Sequence, residues 1–504
     1  MMEHMRKIPA TMVTQHPDHA SKPYWHQTAY ISTQYEAEEA FRSFSDLGAM
    51  EYKWDWEGKL VDESVLERLF ATQFDYFKEH GLGKEKFLTF RLPNPKVETE
   101  FRVGRAFINI MSANSLASHF ELYTQPLREV ILPMTETAEE IIAIQDAYVQ
   151  LRHLDHPLYR QPKETPLLEV IPLFEQVSTI MRSDEILKEY FKACKKRFKK
   201  YPMYFRPYIA RSDPALNSGI IPTVLATKIA LSKYKKLSKK MKIPFYPIIG
   251  AGSLPFRGGI SPDTVDVFMD EYRGIRTTTL QSAFRYDYPL EDVKTAIAKL
   301  NKQLPLNEAA TVSTKEEKGL REIITFAEKQ YKHLVEPVAP LINQVAKSIP
   351  QRRERFLHIG LFGYSRGDAK VKLPRAISFT CTLYSIGAPP EFFGTGKAIQ
   401  FAEQSGRIEL LEKYYVNLKK DLLRAGKYVN KANIKILAKK YPAWKEILEN
   451  VEIVEKYVGK EFNPTTDEEK KHFLLTKKIL QRVQAEKNVS QLITKAGIIR
   501  KSLG

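Results

Sequence analysis

The chain has 504 residues, 43% of them hydrophobic, and a mean hydropathy of −0.37. That length suits roughly two or three average domains, or one large barrel with additions, and no apolar run approaches the ~18–20 residues of a membrane span. A net charge of +18 admits a nucleic-acid partner or a surface that concentrates anionic substrates, while two cysteines, Cys194 and Cys381, exclude a disulfide framework and suit a reducing cytoplasm.

Along the chain, short apolar runs alternate with long amphipathic ones. The apolar runs are "IPATMVTQ" (8–15), "GAMEYKW" (48–54), "KFLTFR" (86–91), "EVILPM" (129–134), "LLEVIPLF" (167–174), "MYFRPYI" (203–209), "PFYPIIG" (244–250) and "IRTTTLQ" (275–281). Their starts lie roughly 30–45 residues apart, the length of a βα unit, and eight units over about 270 residues make a TIM barrel. A further run, "RFLHIGLFG" (355–363), is a ninth strand candidate that could displace one of the eight. The N-terminus, "MMEHMRKIPATMV", has no apolar h-region, so no signal peptide is expected.

Between the runs the pattern is helical. "TETAEEIIAIQDAYVQLRHL" (135–154) has a threonine cap, early glutamates and apolar residues three and four apart. The lysine-rich stretches 192–201 and 232–242 read as solvated helix faces, not as a nucleic-acid site, because apolar residues recur between the lysines at helical spacing. Beyond about residue 320 the chain is mainly helical, with long amphipathic stretches at 397–429 and 468–500. The predicted fold is therefore α/β: a TIM-type (β/α)8 barrel with many additional helices, one domain over 1–504 with a helical C-terminal third.

In a barrel of this kind the chemistry sits at the C-terminal ends of the strands. The residues there are His16 in "TQHPD", Arg91 in "FRLPN", Glu175 in "PLFE", Arg211 and Asp213 in "ARSDPALNSG", and Arg257 in "GAGSLPFRGG". Arg366 in "GYSR" and Arg375 in "PRAI" follow later runs. Two carboxylates with water and substrate oxygens suit Mg²⁺ or Mn²⁺. Several guanidinium groups suit a substrate that carries phosphate and carboxylate, and a lone histidine suits proton transfer near neutral pH.

Each residue also has a plainer use. Asp213 before Pro214 could cap a helix, Glu175 could pair with an arginine, and Arg366 and Arg375 could be surface charges. His16 with His19, and His153 with His156, form HxxH pairs that lack further ligands at zinc spacing. The glycine-rich stretch 250–259 has neither the lysine of a Walker loop nor GxGxxG spacing. It reads as a mobile loop after the seventh strand, carrying Arg257.

The ordered set "TMVTQHPDHASK", "DWEGK", "FRLPN", "EVILPMT", "IPLFE", "RSDPALNSG", "GAGSLPFRGG", "AFRYDYP", "GYSR" and "LPRAI" resembles the phosphoenolpyruvate carboxylases of the short archaeal type, end to end. The resemblance implies a homotetramer that needs Mg²⁺ or Mn²⁺ and converts phosphoenolpyruvate and bicarbonate to oxaloacetate and phosphate. No nucleic-acid partner is expected, since no recognition motif is present and the arginines sit at strand ends, and no membrane partner, since no apolar run is long enough. The resemblance makes His16 the catalytic histidine, Glu175 and Asp213 the metal ligands, and Arg91, Arg257, Arg366 and Arg375 the substrate arginines.

Two departures stand out: Leu216 replaces a lysine of the longer enzymes' "SAKDAG", and Pro255 falls where they carry a histidine. Arg211 is a candidate to supply part of that lost charge. Segments that form effector sites in the longer enzymes are expected to be missing, which argues against activation by acetyl-CoA. The alternative reading is another barrel lyase of phosphoenolpyruvate or pyruvate chemistry, served by the same metal and arginines.

Overall fold

A computed structural model describes residues 6–98, 101–120, 122, 125–153, 167–354 and 372–504. Eight parallel strands form one closed barrel in chain order: β1 (Thr11–Thr14), β2 (Glu51–Asp55), β3 (Phe87–Arg91), β4 (Glu129–Leu132), β5 (Glu169–Phe174), β6 (Tyr208–Ala210), β7 (Ile248–Gly250) and β8 (Thr277–Leu280). β8 closes on β1 with Thr11 opposite Thr278 and Val13 opposite Leu280. Each expected apolar run overlaps one of these strands, β2 and β6 extending one residue past their runs. The barrel closes without residues 355–363, which lie outside the described residues.

Several strands are shorter than their apolar runs, and proline is the reason. Pro207 precedes β6, and Pro244 and Pro247 precede β7; none has an N–H to give to a ladder. The chain there is held by an isolated pairing of Phe205 with Phe245.

Side chains alternate across the barrel wall. Met12, Ile131, Ile171, Leu173, Tyr208, Ala210 and Ile248 form one interior cluster, while Val13, Tyr52, Trp54, Leu88, Phe90 and Val130 belong to the larger core beneath the helices. On β2 the inward positions are instead Glu51, Lys53 and Asp55, and on β3 Thr89 and Arg91, all buried. Above the first residues of β4 and β5, Glu129 and Glu169, the lumen is thus apolar along β4 to β7, and it is charged along β2 and β3.

The helices follow their sequence signals. Ala138–Arg152 starts at a capping box of Thr137 and Glu140. After β8, no strand occurs among the described residues. The 397–429 stretch, however, divides into helices Thr395–Gln404, Ile408–Tyr414 and Leu418–Gly426. The first break falls at Gly406, whose φ of +65° glycine adopts without strain. The 468–500 stretch divides into Asp467–Gln484 and Ser490–Ile499.

Of the two basic runs, Lys192, Lys195, Lys196, Lys199 and Lys200 are solvent-exposed. The second is partly tied down: Lys233 meets Asp184 at 3.2 Å and Lys235 meets Glu308 at 2.8 Å. No helix among the described residues is long and apolar enough to cross a membrane.

Candidate active site

His16 lies two residues beyond β1, half-buried, with its Nδ1 2.8 Å from Thr14 Oγ1. With Nδ1 as the donor, Nε2 is left as the ring nitrogen that can accept a proton. Burial, then the nearby Lys53, hold this imidazole well below its usual range; Asp55 opposes them, while Arg91 and Arg257 add to them. His16 is therefore neutral at neutral pH, the form a general base requires. Its HxxH partner, His19, is a core residue whose Nε2 meets the Ala29 carbonyl at 2.8 Å. His156, of the second pair, lies outside the described residues.

Arg91 ends β3 and is gripped from β2 and the loop after it. Its Nε donates to Asp55 Oδ1 at 2.7 Å, and its Nη1 lies 2.8 Å from Glu57 Oε2. Burial alone would raise the Asp55 carboxyl, but Arg91 and then Lys53 offset this and hold it below the usual carboxylate range. Two anchored edges fix the guanidinium plane, which matters because its planar fork recognises oxyanions by geometry as well as charge.

Glu175 follows β5, and Asp213 lies in the first turn of helix Ser212–Ser218, after the neighbouring β6. Glu175 Oε2 accepts the Met134 N–H at 2.7 Å, which orients the carboxylate. Asp213 is not a helix cap: Arg211 stands at the N-cap, without a side-chain capping bond. Among the described residues no group of three or more His, Cys, Asp or Glu side chains is arranged to hold a metal. Asp213 lines the cavity described below, and Glu175 is not among its lining residues; carboxylates of this kind are the donor chemistry of a hard divalent ion of the Mg²⁺ type, which keeps several waters and takes one or two protein carboxylates besides its substrate.

The loop after β7 gives Arg257 a rigid mount. Residues 251–259 are all buried, and Gly252 pairs with Gly258 across the turn. A Cβ on Gly252 would sit 2.9 Å from the Arg257 Cζ, and Gly258 holds φ at +121° against Ala251. These glycines make room for a guanidinium; the expected mobile loop is, in this structure, a packed one. Arg257 is fully buried: Nε donates to Ser212 Oγ at 3.1 Å, Nη1 to Asp18 Oδ2 at 3.2 Å and to the Gly504 carbonyl, and Nη2 to Gln281. Four of its five N–H groups are thereby engaged, leaving one for a ligand.

His16, Arg91, Asp213, Arg257 and Arg375 line one cavity of about 740 Å³ at the C-terminal end of the barrel. Arg375, at the N-cap of helix Ala376–Ser385, is therefore a wall of the cavity as well as a partly exposed charge. Arg211 is not brought to it. Its Nε donates to Tyr272 Oη at 2.7 Å and its side chain is 1% exposed. Leu216 packs in the hydrophobic core and Pro255 opens a short 3-10 turn. Arg366 lies outside the described residues.

Three further residues belong with the site: Asp18, which holds Arg257, and Lys53 and Asp55, which flank Arg91. For β2 a signal was present, since "EYKWD" puts charges at alternate positions, on one face of a strand. Asp18 has no local signal, because its partners Arg257 and Ala283 lie more than 200 residues away in sequence.

The phosphoenolpyruvate carboxylase family model matches residues 8–504. Curated relatives of that name agree over nearly full length. One from Leuconostoc mesenteroides is 38% identical over 503 residues, 99% of each chain. One from Metallosphaera sedula is 40% identical over 527 residues, covering 99% of this chain and 100% of its own. One from Methanospirillum hungatei is 39% identical over 518 residues, with the same coverage. Among solved structures, an HpcH/Hpal aldolase/citrate lyase family protein from Burkholderia cenocepacia superposes with a TM-score of 0.31 and 12% identity, over 54% of this chain and 88% of its own. The barrel assignment rests on the strand pairing and needs no support from that likeness.

Proposed function

The chain belongs to the phosphoenolpyruvate carboxylase family, and we propose that it carboxylates phosphoenolpyruvate in the cavity at the top of its barrel, with His16 as the base. The observation that carries this reading is the convergence of the neutral His16 with Asp213, Arg91, Arg257 and Arg375 on a single cavity, which Arg352, Arg353, Lys347 and Glu354 also line. Glu175 and Asp213 would hold a divalent ion, Mg²⁺ or Mn²⁺, which supplies charge neutralisation for the phosphoryl and enolate oxygens.

In the reaction, a bicarbonate oxygen attacks phosphorus, and carboxyphosphate and the enolate of pyruvate result. Arg91 and Arg375 grip the phosphoryl and carboxylate oxygens; Arg257 contributes its remaining N–H and its field. His16 Nε2 takes the carboxyphosphate proton, phosphate and CO₂ separate, and enolate carbon three attacks CO₂ to give oxaloacetate. Enclosure of the site matters because an enolate that met water would be protonated to pyruvate.

A coupled oxaloacetate assay tests the whole reading, with product expected only when bicarbonate and a divalent ion are both present. His16→Asn should lower oxaloacetate formation by ~10²–10⁴-fold, the usual worth of a general base, with pyruvate appearing in its place. Full oxaloacetate output from that variant, without pyruvate, would remove His16 from the mechanism.

The two cysteines are free and buried, in keeping with a reducing cytoplasm. A homotetramer, as the sequence resemblance implies, would cover exposed apolar residues on the C-terminal helices such as Leu474 and Ile498. Light scattering on the purified chain checks that assembly.

A further inference from the structure

The loop that carries Arg257 is held from outside the barrel, by the helical C-terminal third. The loop first closes on itself: the Gly252 N–H donates to the Arg257 carbonyl at 2.8 Å, and the Gly259 N–H to the Leu254 carbonyl at 3.0 Å. Arg424, on helix Leu418–Gly426, then reaches both of its ends with one guanidinium. Its Nη1 donates to the Gly259 carbonyl at 3.0 Å and its Nη2 to the Ser253 carbonyl at 3.3 Å. Thr264 Oγ1 also donates to Gly259, at 2.8 Å, whereas no second donor to the Ser253 carbonyl occurs among the described residues. Midway along the loop, the Phe256 N–H donates to Glu391 Oε1 at 2.8 Å, an oxygen that also accepts the Tyr384 hydroxyl at 2.6 Å.

Gly259 is the glycine of this loop that the mount of Arg257 does not account for. Its φ is +76°, and a Cβ on it would stand 3.1 Å from Arg424 Nη1. Gly252 thus admits one guanidinium inside the loop, and Gly259 admits a second across its mouth. Asp421 Oδ1 stands 4.0 Å from Arg424 Nη1, beyond hydrogen-bond distance, so these N–H groups are spent on the loop. Arg424 does not line the cavity, and what it does for a ligand there it does through Arg257.

We propose that Arg424 is a positioning residue of the carboxylation site: by clasping Ser253 and Gly259 it fixes where the loop presents the Arg257 guanidinium. The proposal rests on the reading of Arg257 as a substrate arginine. A single donor would satisfy one buried carbonyl. A planar fork holds two acceptors at one separation, and these two flank Arg257 in the chain. With both ends pinned, and Phe256 pinned between them, Arg257 keeps its place beside Ser212, Asp18 and Gln281. Displacing a group of this kind by about 1 Å can cost ~10²-fold in rate.

The test is a double-mutant cycle in the full-length enzyme, read as kcat/KM for oxaloacetate formation. Arg424→Ala keeps a strong helix former at that position and should lower kcat/KM about tenfold or more. Arg424→Lys, a milder change, should lose part of the same activity, because an ammonium lacks the fork. In an Arg257→Lys background, Arg424→Ala should cost little further. Wild-type kinetics in either Arg424 variant, with only a lower unfolding midpoint, overturns the proposal, since that is what a merely structural residue gives. So does a loss that adds in full to that of Arg257→Lys. Wild-type kinetics in Arg257→Lys itself removes Arg257 from the substrate site and the proposal with it, so failure of that reading is told apart from failure of the clasp alone.

Discussion

At the N-terminal end of the barrel, Arg206 lies between Glu51 and Glu129, with Nη2 2.7 Å from Glu51 Oε2 and Nη1 bonded to Glu129. Arg6 also pairs with Glu129, and Thr277 accepts from Arg206 at 3.1 Å. Two arginines and two glutamates pair with one another in that floor, though Nε of both Arg6 and Arg206 is buried without a hydrogen-bond partner. At the C-terminal end the same residue types surround a cavity of about 740 Å³. Arg91 is braced by two carboxylates and Arg257 by Asp18, and both line the open space. Burial and pairing are common to both ends; at the C-terminal end the paired arginines also border a cavity. The difference teaches that a buried arginine in this fold is informative only together with what lies beside it.

Exchanging single residues breaks the comparison at either end. The largest effect is expected from Arg206→Met, which leaves Glu51 buried without its cation. Breaking a buried pair from one side costs about 3–5 kcal/mol, read by denaturant unfolding, while kcat of the folded enzyme stays near wild type. A collapse of kcat with unchanged stability would show that the floor is part of the catalytic machinery. Next comes Arg375→Gln at the top. It should lower kcat/KM for phosphoenolpyruvate by ~10²–10³-fold, about 2.7–4 kcal/mol of transition-state stabilisation, and leave the unfolding midpoint in place. The mildest is Gly252→Ala, whose Cβ would press on the Arg257 Cζ from 2.9 Å. A small displacement of that guanidinium should reduce kcat/KM about tenfold, ~1.4 kcal/mol. Wild-type kinetics in Gly252→Ala would mean that Arg257 does not need its present position.

Much of this is legible in the sequence. The eight strands were visible because parallel strands buried on both faces read as apolar runs at βα spacing. His16, Arg91, Asp213 and Arg257 were visible because strand ends are where such barrels work, whereas Arg375 comes after the run 355–363, which is not one of the eight barrel strands. Arg211 shows where that reasoning stops. It follows β6 directly, as Glu175 follows β5, yet it turns to Tyr272 because Tyr272 offers a phenolic oxygen on that side. Strand-end position says that a residue is near the rim and not which way it points. The glycine loop shows the same limit, since four glycines in ten residues signal an unusual backbone whether the loop moves or, as here, packs around one side chain.

What the amino-acid order determined by itself was the barrel, the helical C-terminal third and the family of the chemistry. These depend on local propensity, on periodicity and on short ordered motifs, all readable within a few dozen residues. What only the tertiary structure decided was how each charge is spent. Asp18 is bound to Arg257 across 239 residues of chain, and Arg206 to Glu51 across 155. Electrostatic pairing acts through space over a few ångströms, and chain closure brings those groups together without leaving a trace in the neighbouring sequence.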